Sequence, residues 1–316
     1  MVEVLLGKRE VTSFAEEGTY GSFTNPTVII KNARVEPQSS EDWQEILQAG
    51  SGVIYPTAQV GNKIRAFRLT YNPQDWRMLS FILGGSSLTD ANPIYTHSYT
   101  GYDTDPVSFS LQRDIYASTH SVRKWDGCKV NTATLSWNIA GGGMTGRFVE
   151  LALDCVAQDV SIATSASGSP SAASTDLFEA KHVQLTLNTS AVNELLSGTV
   201  VWENKLHDSM YADYASSGEI SEPEPTVRRV SGTFLVHAQD NTFLDFQYNR
   251  VVVPGTNTLE FKRGTNDYLK LTFTNLRLTV PDTTTLDGPN IVDISWTADY
   301  AAAEVKDAIS SYPDET

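Results

Sequence analysis

The chain has only two cysteines in 316 residues, Cys128 and Cys155, so it lacks the disulfide framework that holds small secreted domains together. Its five histidines, His97, His120, His182, His207 and His237, are scattered without the i, i+4 spacing of a metal-binding helix. No apolar run reaches the ~18 residues needed to span a bilayer. The opening stretch, Met1-Val-Glu-Val-Leu-Leu-Gly-Lys-Arg9, has no apolar segment ending in a small-residue cleavage site. Folding in a cytoplasm, with no membrane partner, is therefore expected. Basic residues are scarce: 23 Lys and Arg against 38 Asp and Glu leave a net charge of -15. That charge repels phosphate and anionic lipid over much of the surface and disfavours groove reading of DNA.

Apolar and polar residues alternate in short segments rich in Val, Ile, Thr, Phe and Tyr, bounded by Gly, Asn, Asp or Pro. Period-two alternation is the signature of half-buried strands. It places strands at 27–35, 63–70, 107–114, 129–140, 147–159, 182–189, 226–238, 259–263, 268–280 and 290–298, and the fold class is all-β. Within 268–280 the apolar phase moves from Leu269, Leu271 and Phe273 to Leu276, Leu278 and Val280, which predicts a bulge or bend.

Helical signals are few. Residues 72–84 open with Asn72-Pro73, carry Trp76, Leu79, Ile82 and Leu83 on one stripe and stop at Gly84-Gly85, which predicts a helix lying against a sheet. A second helical piece is expected at 240–246, and the alanine-rich 301–309 reads as a helix within the tail.

The order strand, short helix, strand and long hairpin occurs twice, at 62–159 and again at 227–296. A duplication explains this order, with chance recurrence among β segments as the alternative. The expected layout is an N-terminal arm at 1–26, a first β domain at 27–165, a flexible small-residue linker at 166–180, a second β domain at 181–300 and a C-terminal tail at 301–316. The second domain carries a long acidic loop at 203–225 with Asp208, Asp213, Glu219, Glu222 and Glu224, too long for a hairpin turn and too polar for a core.

No catalytic, cofactor-binding or metal-ligating residues are assigned. The chain has no Gly-x-Ser-x-Gly elbow. Gly141-Gly-Gly-Met-Thr-Gly146 lies between strands and reads as a hairpin turn, not a phosphate loop, and Asp282-Thr-Thr-Thr-Leu-Asp287 lacks calcium-loop spacing. A hairpin centred near 143 sets Cys155 opposite Asn131 and turns Cys128 to the other face, which argues against a disulfide and makes both thiols core fillers. A glycosidase-type carboxylate pair leaves no sequence signature, so a β-rich hydrolase stays as a third reading behind assembly and binding. A carbohydrate-binding or adhesion module would need exposed aromatics, for which Tyr95, Tyr99, Tyr102 and Trp125 are the candidates.

Three segments taken together carry a resemblance: Glu17-Gly-Thr-Tyr-Gly21, Trp125-Asp-Gly-Cys-Lys-Val-Asn131 leading to Leu135-Ser-Trp137, and Arg229-Val-Ser-Gly-Thr-Phe234. In these the chain resembles the tail tube proteins of long-tailed bacteriophages and related archaeal viruses, in feature order over most of its length. It departs from them in the acidic loop after Trp202 and at Ala180-Lys-His182. The resemblance implies two tandem β-sandwich or barrel domains, each with a short flanking helix. It further implies a homotrimeric ring of pseudo-sixfold symmetry, and rings stacked into a hollow tube for DNA ejection. No cofactor is implied. The implied partners are further copies, tape measure, tail terminator and baseplate or tip proteins, and viral DNA in transit. The implied location is the virion tail, assembled in the host cytoplasm. The five loop carboxylates are then candidate contacts between rings.

Overall fold

In a computed structural model the described residues are 10–38, 40–46, 57–89, 93–100, 104–116, 120–139, 147–193, 195–207, 222–237, 252–280 and 291–313. Among them the first half of the chain supplies β1 (Glu10–Glu16), β2 (Val28–Ile30), β3 (Arg34–Pro37), β4 (Ser40–Ile46), β5 (Thr57–Tyr71), β6 (Ser87–Leu88), β7 (Tyr95–Tyr99), β8 (Phe109–Tyr116), β9 (His120–Asn138), β10 (Glu150–Ala157) and β11 (Asp159–Ala163). After β12 (Ser171–Ala172) the second half supplies β13 (Val183–Leu187), β14 (Ser190–Val192), β15 (Leu195–Glu203), β16 (Arg229–His237), β17 (Thr258–Gly264), β18 (Asp267–Thr274), β19 (Arg277–Thr279), β20 (Ile291–Ala298) and β21 (Tyr300–Asp307).

These strands form sandwich layers in both halves of the chain. In the first half β2, β1, β8, the front of β9 and β11 make an outer sheet, while β5, β10 and the back of β9 make an inner one. In the second half β14, β13, β17, β18 and β21 make the outer sheet, which β7 and β6 of the first half extend, and β15, β16, β20 and β19 make the inner one. The inner sheets are continuous, because the back of β9 pairs with β15 from Thr132↔Glu203 to Asn138↔Ser197. One apolar core runs under both halves, with Phe67, Trp125, Leu135, Phe234, Phe261 and Trp296 all within 2% of complete burial. Each such side chain contributes roughly 1.5–3 kcal/mol on leaving water.

Two inward positions on the inner sheet are glycine because indole rings lie on them. Gly198 faces Trp137 and Gly232 faces Trp296, and a Cβ built on either would come within 2.6 Å of the ring. Phe234 then stacks on Trp296, with centroids 5.3 Å apart.

Several expectations are corrected. The helix at 72–84 shrinks to a 3-10 turn (Arg77–Leu79) and α1 (Ser80–Leu83), because the Asn72 side chain donates to the Val149 carbonyl instead of capping a helix. Its stripe is buried as expected, and Trp76 packs on Phe178 and Phe261. The predicted strand at 27–35 is split into β2 and β3 by Asn32, whose φ is 54°. Residues 10–16, placed in the N-terminal arm, form β1 between β2 and β8.

The 301–309 helix is also overturned. The segment is β21, hydrogen-bonded to β18 on one side and β7 on the other, and two ladders outweigh the helix propensity of its alanines. The linker at 166–180 is not a loose tether. Gln112 and Gln74 hydrogen-bond its backbone at Ser167, Ala173 and Thr175, and β12 pairs in parallel with β2. The second helical piece at 240–246, the 141–146 turn and the Asp282–Asp287 segment lie outside the described residues.

The hairpin centre is as expected: Leu151 opposite Leu135 puts it at 143. Asn131, however, is an extra residue in β9, so Cys155 faces Val130 and not Asn131. This puts Cys128 on the same side as Cys155, which overturns the opposite-face argument. Both thiols are free, and burial pushes both upward in pKa.

Candidate assembly surface

The outer and inner sheets exchange strands at a sharp corner in each half. In β9 the corner is Asp126-Gly127: Gly127 has φ 57°, and the Asp126 carbonyl accepts a hydrogen bond from the Gln158 amide. Between β18 and β19 it is Thr274-Asn275: Asn275 has φ 52°, and the Thr274 carbonyl accepts from the Asp299 amide. This is the bend that the phase shift in 268–280 signalled. Left-handed backbone is cheap for glycine and tolerable for asparagine, which explains the residue at each corner.

Around the first corner lie the residues of the first two sequence segments quoted above. The buried Glu17 carboxylate accepts from the Gly127 amide at 2.9 Å, from Ser110 Oγ at 2.7 Å and from the Gly21 amide at 3.2 Å. The segment Glu17–Gly21 is thus a clasp on the Asp126-Gly127 corner. Asp126 is pushed up to about 6 by burial and by the nearby charges of Asp159 and Glu17, while its Oδ1 accepts from the Asp159 amide.

The acidic loop is anchored at this same corner. Lys129, 3% exposed, reaches Glu222 at 2.5 Å. Asn131, the bulge residue, accepts from the Asn204 amide through its carbonyl and from the Leu206 amide through its side chain. Asn204 in turn donates to the Ile82 and Val130 carbonyls. A bridge between Leu206 and Pro225 closes the base of the loop, and the Glu224 carbonyl accepts from the His207 amide.

Of the five candidate carboxylates, Glu222 is held by Lys129, Glu224 stands exposed beside it, and Asp208, Asp213 and Glu219 lie outside the described residues. Lys129, Asn131, Asn204 and Glu17 were not singled out by sequence reasoning. Their only signal was membership of the quoted segments or, for Asn204, adjacency to the loop. A cleft of about 520 Å³ opens here between Glu17, Tyr20, Asp105, Lys129 and Glu222.

The remaining chemistry is structural. His97 is fully buried, stacks on Tyr312 at 3.9 Å and contacts the Ile309 carbonyl at 2.9 Å. His120 pairs with Asp114 across the β8–β9 hairpin at 2.9 Å. Lys181 and Arg147 hold the Glu179 carboxyl down at about 2. Among the described residues, no group of three His, Cys, Asp or Glu is placed to hold a metal ion, and no helix is long and apolar enough to cross a membrane. Tyr99 and Trp125, offered above as a sugar platform, are buried, Tyr95 is half-buried, and Tyr102 lies outside the described residues.

Sandwich layers with a continuous inner sheet, an anchored loop and sheet edges that have no partner among the described residues are the surfaces this chain offers. A family model described as phage tail tube protein matches residues 7–300, and the chain belongs to that family. Comparison with curated proteins finds no match. Membership makes it a structural component of the virion tail, in a family that is normally non-enzymatic and whose members associate with one another and with other tail components.

Proposed function

We propose that copies of this chain close into a homotrimeric ring with pseudo-sixfold symmetry, and that stacked rings form the hollow tail tube through which viral DNA is ejected. The chain is then a duplicated unit, a first domain at 27–165 and a second at 181–300 joined through 166–180. The observation that carries the proposal is the join between β9 and β15. It closes one junction between like units inside the chain and leaves the equivalent strands, β19 and the β3–β4 edge, without a further sheet partner among the described residues. A ring uses such edges up, which removes the hazard that an open edge presents.

Matching the two halves position by position gives the register expected at the junction between copies. Ala157 and Ala298 each precede their corner residue, so Asp154 corresponds to Ser295, and their partners Thr132 and Thr279 correspond. Ala157 faces Arg65 and Ala298 faces Val230, so the residues just before them, Ile64 and Arg229, correspond. Their partners are Ser40 and Glu203. Since Thr132 faces Glu203 within the chain, Thr279 of one copy faces Ser40 of the next.

The extended β4–β5 hairpin and the acidic loop occupy corresponding places, each between an edge strand and its neighbour, and both project as arms toward the next ring. Asp208, Asp213 and Glu219 supply the arm's contacts, with Glu222 and Glu224 at its base. Assembly takes place in the host cytoplasm. Tape measure, terminator and baseplate or tip proteins meet the tube in its lumen or at its ends.

The test is electron microscopy of the purified chain together with a Thr279→Cys, Ser40→Cys pair. Rings that become covalently linked between copies on oxidation support the reading. A strict monomer at high concentration overturns it, and rings without the cross-link overturn the register.

A further inference from the structure

One row of positions on the core side of the outer sheets is filled with leucine in the second half and with charge in the first. In the second half Leu185, Leu259, Leu271 and Ala303 face one another in turn across β13, β17, β18 and β21. Counted from the two corners, the matching positions of the first half are Thr12, Arg113, Arg123 and Ile162, which face one another across β1, β8, β9 and β11. Ile162 stands two residues beyond Val160, which packs against the core, so it shares the core-facing side of β11.

The second half's row is sealed. Leu185, Leu259 and Leu271 are fully buried and Ala303 is 3% exposed. Its cover is the first half of the chain: β7 continues the sheet beyond β21 with Tyr99 facing Ala303, and Phe261 in the next row packs on Trp76 and Trp137. The first half's row is open at its end. Ile162 is 78% exposed, and β11 has no strand on its far edge among the described residues. Arg113 is held by Glu10 at 2.6 and 2.9 Å, but the exposed Arg123 has no carboxylate partner among the described residues.

We infer that this open row is a contact between copies in the outer layer, where β11 takes the second half of a neighbouring copy as β21 takes β7. The inference rests on the ring reading and deepens it, since the junction proposed above involves the inner sheet alone. Within the chain, β7 lies on the connection from β5 to β8 and reaches β21 across the join of β9 to β15. Across the join between copies, the matching connection from β16 to β17 reaches β11. Leucine suits the internal joint, which forms during folding and stays out of water. The row between copies stands in water until assembly, where an apolar row on an open strand edge would promote aggregation. A guanidinium there keeps the free chain soluble and still finds a partner, because a second copy presents 38 acidic residues against 23 basic ones. Ile162 supplies the apolar centre of the contact. The joint between copies is therefore sensitive to salt, and the leucine-packed joint inside the chain is not.

Maleimide labelling of the free chain and of imaged rings tests the contact. Ile162→Cys should label quickly in the free chain and about tenfold or more slowly in rings. Ser161→Cys, exposed on the opposite face of the same strand, should label at similar rates in both. The native Cys128 and Cys155 are buried and give a low background. Arg123→Glu should raise the concentration needed for assembly about tenfold at low salt, while its circular dichroism and unfolding midpoint stay those of the parent. Arg123→Leu, which installs the residue of the second half, should assemble with less dependence on salt than the parent.

Rings in which Ile162→Cys labels as fast as in the free chain overturn the contact and leave the ring reading standing. Arg123→Glu chains that assemble at the parent's concentration and with its salt dependence overturn the role given to charge. Failure of the parent to form rings overturns the ring reading, and this inference with it.

Discussion

The two corners of the molecule are the same device in different states of completion. At the first, Gly127 is followed by Cys128 and Lys129; at the second, Asn275 is followed by Leu276 and Arg277. Lys129 faces Val156 and Arg277 faces Thr297, which are equivalent positions in their hairpins. Yet Lys129 is buried under Glu222 of the acidic loop, while the Arg277 side chain is 54% exposed and pairs with Asp299 at 2.9 Å. The first corner is covered because the second half of the same chain lies over it. The second has no such cover within the described residues; in the proposed ring its counterpart cover would come from the β4–β5 arm of another copy. One chain thus holds two similar corners, one covered and one open, as the proposed ring requires of its subunit.

The comparison can be broken most forcefully at the corner glycine. Gly127→Val places a Cβ 2.6 Å from Gln158 Cβ on a φ of 57°, and a loss of about 3 kcal/mol or more is expected in chemical unfolding. Asn275→Gly, which relaxes the equivalent strain, should change stability by only a few tenths of a kcal/mol. Equal losses at the two sites would break the equivalence.

The clasp comes next. Glu17→Gln removes the charge from a buried acceptor of three hydrogen bonds and replaces one of its two oxygens by an NH2 donor, and should cost about 2 kcal/mol by the same measurement. Lys129→Ala should cost about 1–2 kcal/mol through lost packing and a freed loop base. Limited proteolysis of this variant should cut faster between 204 and 225, and unchanged cutting would separate the ion pair from loop anchorage.

Asp126 sharpens the comparison through pH. Its folded pKa of about 6 lies above the ordinary 3.8, so the folded state holds the proton more tightly than the unfolded one. Stability from this group is full below 3.8, falls as pH rises toward 6 and stays at the lower level above. Asp126→Asn keeps the acceptor for the Asp159 amide and should raise stability at pH 7 by about 1 kcal/mol, an amount discounted for solvent at a half-exposed group, and flatten that part of the Tm–pH curve. The smallest effect is expected at Arg277→Ala. An exposed ion pair of this kind is worth about 0–0.5 kcal/mol to the isolated chain, so any larger consequence should be seen in assembly alone.

Alternation was enough to mark most strands, because side chains on a half-buried sheet must switch faces at every residue. The phase shift at 273–276 marked the second corner for the same reason, and the symmetry of 129–157 fixed the hairpin centre. β15 was not marked, although it fuses the halves. Gly198 interrupts its apolar face, and only the indole of Trp137 lying over it makes that glycine a good strand residue. Glu17 and Asn131 sat in recognisable segments without a visible role, since their partners are 110 and 75 residues distant for Gly127 and Leu206 respectively.

Composition and periodicity therefore determined the all-β class, the acidic balance and the phase shift at the second corner. These depend on each residue's own solvation and on its near neighbours. Tertiary structure alone decided that Ala301–Asp307 is a strand, that 166–180 is strapped down and that Cys155 faces Val130. It also decided that Lys129 is covered while Arg277 is open. In each case the outcome depends on which distant backbone supplies the hydrogen bonds, and local sequence carries no record of that choice.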